Sequence, residues 1–126
     1  MSLEQKTILL TEDDEMLSRM YGKRLELEKA NVVIAHNGRE AIEKLKEKKV
    51  DLILLDLMMP NMNGYEVVRR IKDDPDTQNI PIIILTNLDE HPEYIERATG
   101  SKVEEYLIKS DVSVEEVIEK ISKHLR

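Results

Sequence analysis

The 126-residue chain contains no cysteine, so neither a disulfide framework nor thiol chemistry is open to it. Phenylalanine and tryptophan are missing too. Four tyrosines make up the aromatic complement, which is too sparse for a base-stacking platform. No apolar run approaches the roughly 20 residues of a membrane-spanning helix, and residues 1–6 lack the apolar stretch of a secretory signal. Basic charge is in deficit: nineteen Lys and Arg against twenty-six Asp and Glu give a net charge of -7, a surface that repels phosphate backbones. These absences lead us to expect a cytoplasmic protein that contacts neither membrane nor nucleic acid directly. The length suits a single domain with its own core, spanning 1–126, in which residues 1–6 are expected to be a flexible or appended start.

What is present is a regular alternation of short apolar runs and amphipathic stretches. Thr7-Ile8-Leu9-Leu10 reads as a buried strand that stops at Glu12-Asp13-Asp14. From Glu15 a helix follows with Met16, Leu17, Met20, Tyr21, Leu25 and Leu27 as its apolar set. Val32–Ala35 is the second strand. Asn37 and Glu40 have the spacing of a capping box, before a helix with Ala41, Ile42 and Leu45 inward. Asp51–Leu55 runs straight into Asp56 and a loop punctuated by Pro60 and Gly64, and Asn63 with Glu66 repeats the capping spacing before Val67, Val68 and Ile71. Pro81–Leu85 is the most apolar strand and ends at Thr86. Pro92 opens a fourth helix to about Ala98, with Tyr94 and Ile95 as its apolar contacts. Tyr106–Ile108 ends at Lys109, and Ser113 with Glu116 caps a last helix carrying Val117, Ile118, Ile121 and Leu125. Five strands alternating with five helices predict an α/β fold: an open, doubly wound parallel sheet with right-handed crossovers.

In such a sheet ligands bind beyond the carboxyl ends of the strands. There the sequence puts Glu12-Asp13-Asp14 after the first strand, Asp56 after the third, Thr86 after the fourth and Lys109 after the fifth. Carboxylates gathered so closely raise each other's pKa unless a cation sits among them. Mg²⁺ suits oxygen donors, whereas zinc would want Cys or His, and His36, His91 and His124 are scattered and read as surface residues. One carboxylate beside a cation is a competent nucleophile toward phosphorus, with a hydroxyl and an ammonium to steady the transferred group. Asp14 reads more simply as the cap of the first helix.

These stretches, in this order, resemble the receiver domain of two-component response regulators, including the single-domain chemotaxis type, over essentially the whole chain. The matching segments are Ile8-Leu9-Leu10-Thr11-Glu12-Asp13-Asp14, Asp51-Leu52-Ile53-Leu54-Leu55-Asp56-Leu57-Met58-Met59-Pro60 with Asn63-Gly64, Ile80-Pro81-Ile82-Ile83-Ile84-Leu85-Thr86, and Tyr106-Leu107-Ile108-Lys109. The resemblance implies a flavodoxin-like sheet of order 2-1-3-4-5. It implies phosphorylation of Asp56 by a histidine kinase or phosphotransfer protein, and slow magnesium-dependent self-dephosphorylation rather than enzymatic turnover. It further implies that Asp13, Asp56 and the backbone carbonyl of Met58 bind Mg²⁺, that Glu12 assists through water, and that Thr86 and Lys109 contact phosphoryl oxygens. Thr86 and Tyr106 match the switch pair. The output surface falls on the fourth helix, fifth strand and fifth helix, where a downstream protein binds.

Three positions depart from the family pattern: Asn87 replaces a small residue, Ser110 replaces the proline after the lysine, and Ala98–Val103 lacks the Gly-Ala placement before the last strand. The Ser110 and Asn87 departures leave room for a receiver-like module that binds partners without phosphorylation. An aspartyl phosphatase fits less well, because Met58 stands where a second aspartate is wanted. A flavin-binding domain is disfavoured by the acidic residues where its phosphate loop belongs.

Overall fold

The computed structural model describes residues 3–125. In chain order its elements are β1 (Thr7–Thr11), α1 (Glu15–Leu27), β2 (Asn31–Ala35), α2 (Gly38–Glu47), β3 (Leu52–Leu55), α3 (Gly64–Asp73), β4 (Ile82–Thr86), α4 (Pro92–Thr99), β5 (Glu105–Ile108) and α5 (Val114–His124). The strands form one parallel sheet of order β2-β1-β3-β4-β5. β1 pairs with both β2 and β3, so Thr11 lies opposite Ala35 on one side and Leu55 on the other. β4 pairs with β3 and β5, placing Thr86 beside Ile108. This is the doubly wound arrangement that the alternation of elements predicts, and the strand order reverses between β1 and β3.

Strand alternation divides the core in two. Ile8, Leu10, Leu52, Leu54, Ile83 and Leu85 face α1 and α5, where they meet Tyr21, Leu25, Val117, Ile118 and Ile121. Their neighbours Leu9, Ile53, Leu55, Ile82 and Ile84 point the other way, onto Ala41, Val67, Val68, Ile71 and Ile95 of α2, α3 and α4. Because both faces are covered, the strands read as continuous apolar runs rather than alternating ones.

α1 differs from the face expected of it. Met16 and Leu27 are 78% and 77% exposed, and Met20 is also exposed, while Ser18, Tyr21, Gly22 and Leu25 are buried. The spacing of that buried set, i, i+3, i+4, i+7, is a single helical stripe, narrower than the full apolar set of the helix. Two small residues belong to this stripe, and a Cβ on Gly22 would meet Ile34 of β2 at 3.6 Å, an ordinary contact. Ser18 is satisfied locally by donating to the carbonyl of Glu15.

Caps end the helices largely as predicted. The side chains of Asp14, Asn37, Asn63 and Ser113 accept from Leu17, Glu40, Glu66 and Glu116 amides, respectively. The reciprocal half of the capping box is present at Ser113, where Glu116 accepts from the Ser113 amide. Glu66 turns instead to Arg69 and Arg70. α4 begins with Pro92 as expected, extends one residue past Ala98 and closes on Gly100 in the left-handed region, φ 78°. Of residues 1–6, expected as a flexible or appended start, 1 and 2 lie outside the described residues, while Leu3 is only 2% exposed and its amide donates to the Glu28 carbonyl. The histidines are also less idle than expected: His91 Nδ1 accepts from the Glu93 amide, and His124 bonds Glu105.

Candidate functional site

Beyond the carboxyl ends of the strands, acidic side chains gather around the Lys109 ammonium. Asp56 leaves β3 through an amide that donates to the Thr11 carbonyl, so the backbones of β1 and β3 fix its place. Its side chain is buried. Asp56 Oδ1 accepts from the Met58 amide at 3.0 Å, and Oδ2 accepts from Lys109 Nζ at 2.8 Å. Gly64 makes this possible, since a Cβ there would stand 2.5 Å from the Leu57 Cα and 3.0 Å from the Asp56 carbonyl oxygen. The start of α3 therefore seats directly against the loop that carries Asp56.

Glu12 is 3% exposed, and its two oxygens are divided between the Lys109 ammonium at 2.5 Å and the Asp14 amide at 3.1 Å. Asp13 is exposed at the mouth. One carboxylate oxygen from each of Glu12, Asp13 and Asp56 lies within 4.8 Å of the others. Burial raises the Glu12 carboxyl above its ordinary value, against the pull of Lys109 and the Asp14 amide, and the charge of Asp56 adds to the rise. Burial pulls the Lys109 ammonium down, but its bonds to Asp56 and Glu12 more than offset that and hold it above its ordinary value. The ammonium thus stays charged between two carboxylates that would otherwise repel.

Hard oxygen donors within reach of one another and excess negative charge fit a magnesium ion, and no sulfur or imidazole belongs to the cluster. The Lys109–Ser110 peptide is trans, as are all peptide bonds among the described residues. Lys109 nevertheless reaches Asp56, because its amide donates to the Thr86 carbonyl at 2.8 Å and sets the chain's exit from β5. The missing proline therefore does not displace the lysine.

Thr86 is fully buried at the end of β4, and its Oγ1 accepts from the Leu88 amide at 3.3 Å. Asn87 is exposed beside it. Tyr106 is half-buried, packs against the α2–α3–α4 side of the core and donates its hydroxyl to the Leu88 carbonyl at 2.7 Å. The structure thus brings Glu12, Asp13, Asp56 and Lys109 into one cluster, with Thr86 and Tyr106 joined to each other through Leu88. The side chain of Met58 points away from burial, 56% exposed. Sequence reasoning missed Tyr65 and Glu90, whose 3.2 Å hydrogen bond ties α3 to the loop after β4. No local pattern signals a contact between residues 25 positions apart.

The model of the response regulator receiver domain matches residues 8–122. The chain belongs to the response regulator receiver family. The receiver is 36% identical over 126 residues to the uncharacterized transcriptional regulatory protein YkoG of Bacillus subtilis, covering 98% of this chain and 53% of that protein. It is 31% identical over 120 residues to the polar-differentiation response regulator DivK of Brucella anthropi, covering 95% of this chain and 96% of DivK. Among solved structures, the chemotaxis response regulator CheY4 of Vibrio cholerae superposes with a TM-score of 0.84 at 26% identity, over 95% of this chain and 98% of CheY4. The receiver spans about half the length of several curated relatives it matches, YkoG among them. The flavodoxin-like order 2-1-3-4-5 is common to this chain and its structural neighbours. The family signals by accepting a phosphoryl group, and receivers typically hold Mg²⁺ at an acidic cluster of the kind formed here by Glu12, Asp13 and Asp56.

Proposed function

We propose that Asp56 is the phosphoryl acceptor, that Asp13, Asp56 and the Met58 carbonyl hold Mg²⁺ with Glu12 assisting through water, and that Thr86 and Lys109 take the phosphoryl oxygens. The observation that carries this reading is the Lys109 ammonium bonded at once to Asp56 and Glu12 within the acidic cluster. A carboxylate oxygen of Asp56 attacks the phosphorus of a phosphohistidine on a kinase or phosphotransfer protein. The P–N bond breaks as the P–O bond forms, and the departing imidazole takes up a proton. Magnesium held by Asp13, Asp56 and the Met58 carbonyl would neutralise charge as the phosphoryl group arrives. Lys109, held charged by its neighbours, lies within reach of the group added to Asp56, and a rotation of buried Thr86 offers its hydroxyl to the same oxygens. Slow hydrolysis of the acyl phosphate resets the site, with water approaching past exposed Asn87. The phosphoryl dianion then biases the Thr86–Leu88–Tyr106 linkage, and the change reaches a downstream protein across α4, β5 and α5. The setting is the cytoplasm; among the described residues no helix is long and apolar enough to cross a membrane.

Incubation with Mg²⁺ and acetyl phosphate tests this directly, with intact mass as the readout. A labile gain of one phosphoryl group, lost in Asp56→Asn and in EDTA, is expected. A gain that survives Asp56→Asn sinks the assignment.

A further inference from the structure

The loop between β4 and α4 is held by a chain of single hydrogen bonds that begins at the switch threonine and ends on a different helix. Thr86 Oγ1 accepts from the Leu88 amide, and the Leu88 carbonyl accepts from both the Tyr106 hydroxyl at 2.7 Å and the Glu90 amide at 3.1 Å. Glu90 Oε2 then accepts from the Tyr65 hydroxyl at 3.2 Å. Tyr65 is the second residue of α3, and its ring meets that of Tyr94 edge-on, with centroids 5.7 Å apart. We infer that the Tyr65–Glu90 hydrogen bond is a latch that holds the β4–α4 loop in its unphosphorylated conformation and opposes the move of Thr86 toward Asp56.

The geometry gives the latch its direction. For Thr86 to turn its hydroxyl to a group on Asp56, it must release or re-aim the Leu88 amide. Leu88 cannot shift freely while Glu90, two residues on, is moored to α3. Tyr65 is a steady moorer: burial and the Glu90 carboxylate that accepts from it both push its hydroxyl well above the ordinary tyrosine range, so it remains a donor. Its anchoring helix is fixed by buried Val67, Val68 and Ile71. The inference rests on the phosphoacceptor reading above for what the loop responds to, though not for what holds the loop.

Two measurements on Tyr65→Phe, Glu90→Ala and the double variant test it. Tyr65→Phe keeps the ring against Tyr94 and removes only the hydroxyl. Hydrogen exchange of the Leu88 and Glu90 amides should quicken by about three- to tenfold, the range expected for one lost hydrogen bond, while the β4 amides stay unchanged. Beryllofluoride with Mg²⁺ should bind each variant about three- to tenfold more tightly than wild type, with the double variant no tighter than the singles. Unchanged exchange overturns the latch, as does quicker exchange with unchanged or weaker beryllofluoride binding. Failure of the wild-type protein to bind beryllofluoride overturns the phosphoacceptor reading instead, and the exchange rates then decide the latch alone.

Discussion

Replacing Lys109 by methionine keeps most of the aliphatic stem and deletes the charge between two buried carboxylates. In the structure the ammonium lies 2.5 Å from Glu12 and 2.8 Å from Asp56, and all three side chains are at most 11% exposed. Removing one partner of a buried ion pair typically costs about 3–5 kcal/mol, since the survivor remains buried and unpaired. Protonation sets a ceiling here. Glu12, already raised by burial, can take up a proton, and doing so at pH 7 from its ordinary value of 4.5 costs about 3.4 kcal/mol, at about 1.36 kcal/mol per pH unit. The loss should therefore be about 3 kcal/mol at pH 7 and shrink to about 1 kcal/mol at pH 5. The sign follows from linkage: a carboxyl raised in the folded state binds more protons folded than unfolded, so the variant loses stability as pH rises. Urea unfolding in EDTA at both pH values measures this, with midpoint shifts on the order of 1–2 M at pH 7. Millimolar Mg²⁺ should recover part of the loss by standing in for the missing cation. Equal losses at pH 5 and pH 7, or a loss under about 1 kcal/mol at pH 7, would refute the reasoning.

Other expectations come from single contacts. Thr11 Oγ1 is buried and, among the described residues, is the one buried side-chain oxygen or nitrogen with no hydrogen-bond partner; Thr11→Val should stabilise the fold by about 1 kcal/mol, read as a higher urea midpoint. Gly38→Ala should destabilise by about 3 kcal/mol, because its Cβ would fall 2.2 Å from the Met62 carbonyl oxygen and 2.8 Å from Val67, and thermal unfolding will show it. Burial pushes the Glu105 carboxyl up, but the His124 hydrogen bond and the charges of Lys120, His124 and Lys123 hold it below 4.5. Glu105→Gln should therefore cost about 1 kcal/mol near neutrality, and the difference from wild type should disappear only once pH falls below the lowered value of the folded state, beneath 4.5, as followed by urea titrations from pH 7 downward.

The sheet was legible because each strand is a short apolar run ended by a charged or hydroxyl residue, and a parallel sheet brings those ends to one rim. Asp56, Glu12, Thr86 and Lys109 could thus be grouped from positions far apart in the chain. The buried face of α1 was not legible. Met16, Met20 and Leu27 are apolar but lie off the contact stripe, while Ser18 and Gly22 lie on it. Hydropathy ranks side chains by affinity for oil and says nothing about how closely two backbones approach. Long-range polar contacts were equally silent. The Tyr65–Glu90 bond and the clasp of Arg24 on Glu115, 91 residues away, depend on where whole elements settle. Lys109 lacks the family's following proline, and the Thr86 carbonyl, a contact no local pattern announces, holds its backbone in place.

The two ends of α4 are tethered in different ways. Its last turn is clamped from α3, where the Arg69 guanidinium donates to the Ala98 carbonyl from Nε at 3.1 Å and from Nη2 at 2.5 Å. Its first turn follows the β4–α4 loop and begins at Pro92, next to the exposed His91 cap. If the loop moved, a rod held in this way would turn about its clamped end. At a rise of 1.5 Å per residue its eight residues span about 12 Å, so a sideways shift of about 2 Å at the loop swings the axis through roughly 10°. A small rearrangement beside Thr86 would in this way be magnified into a reorientation of Glu93, Tyr94 and Arg97, with Arg69 serving as the fulcrum.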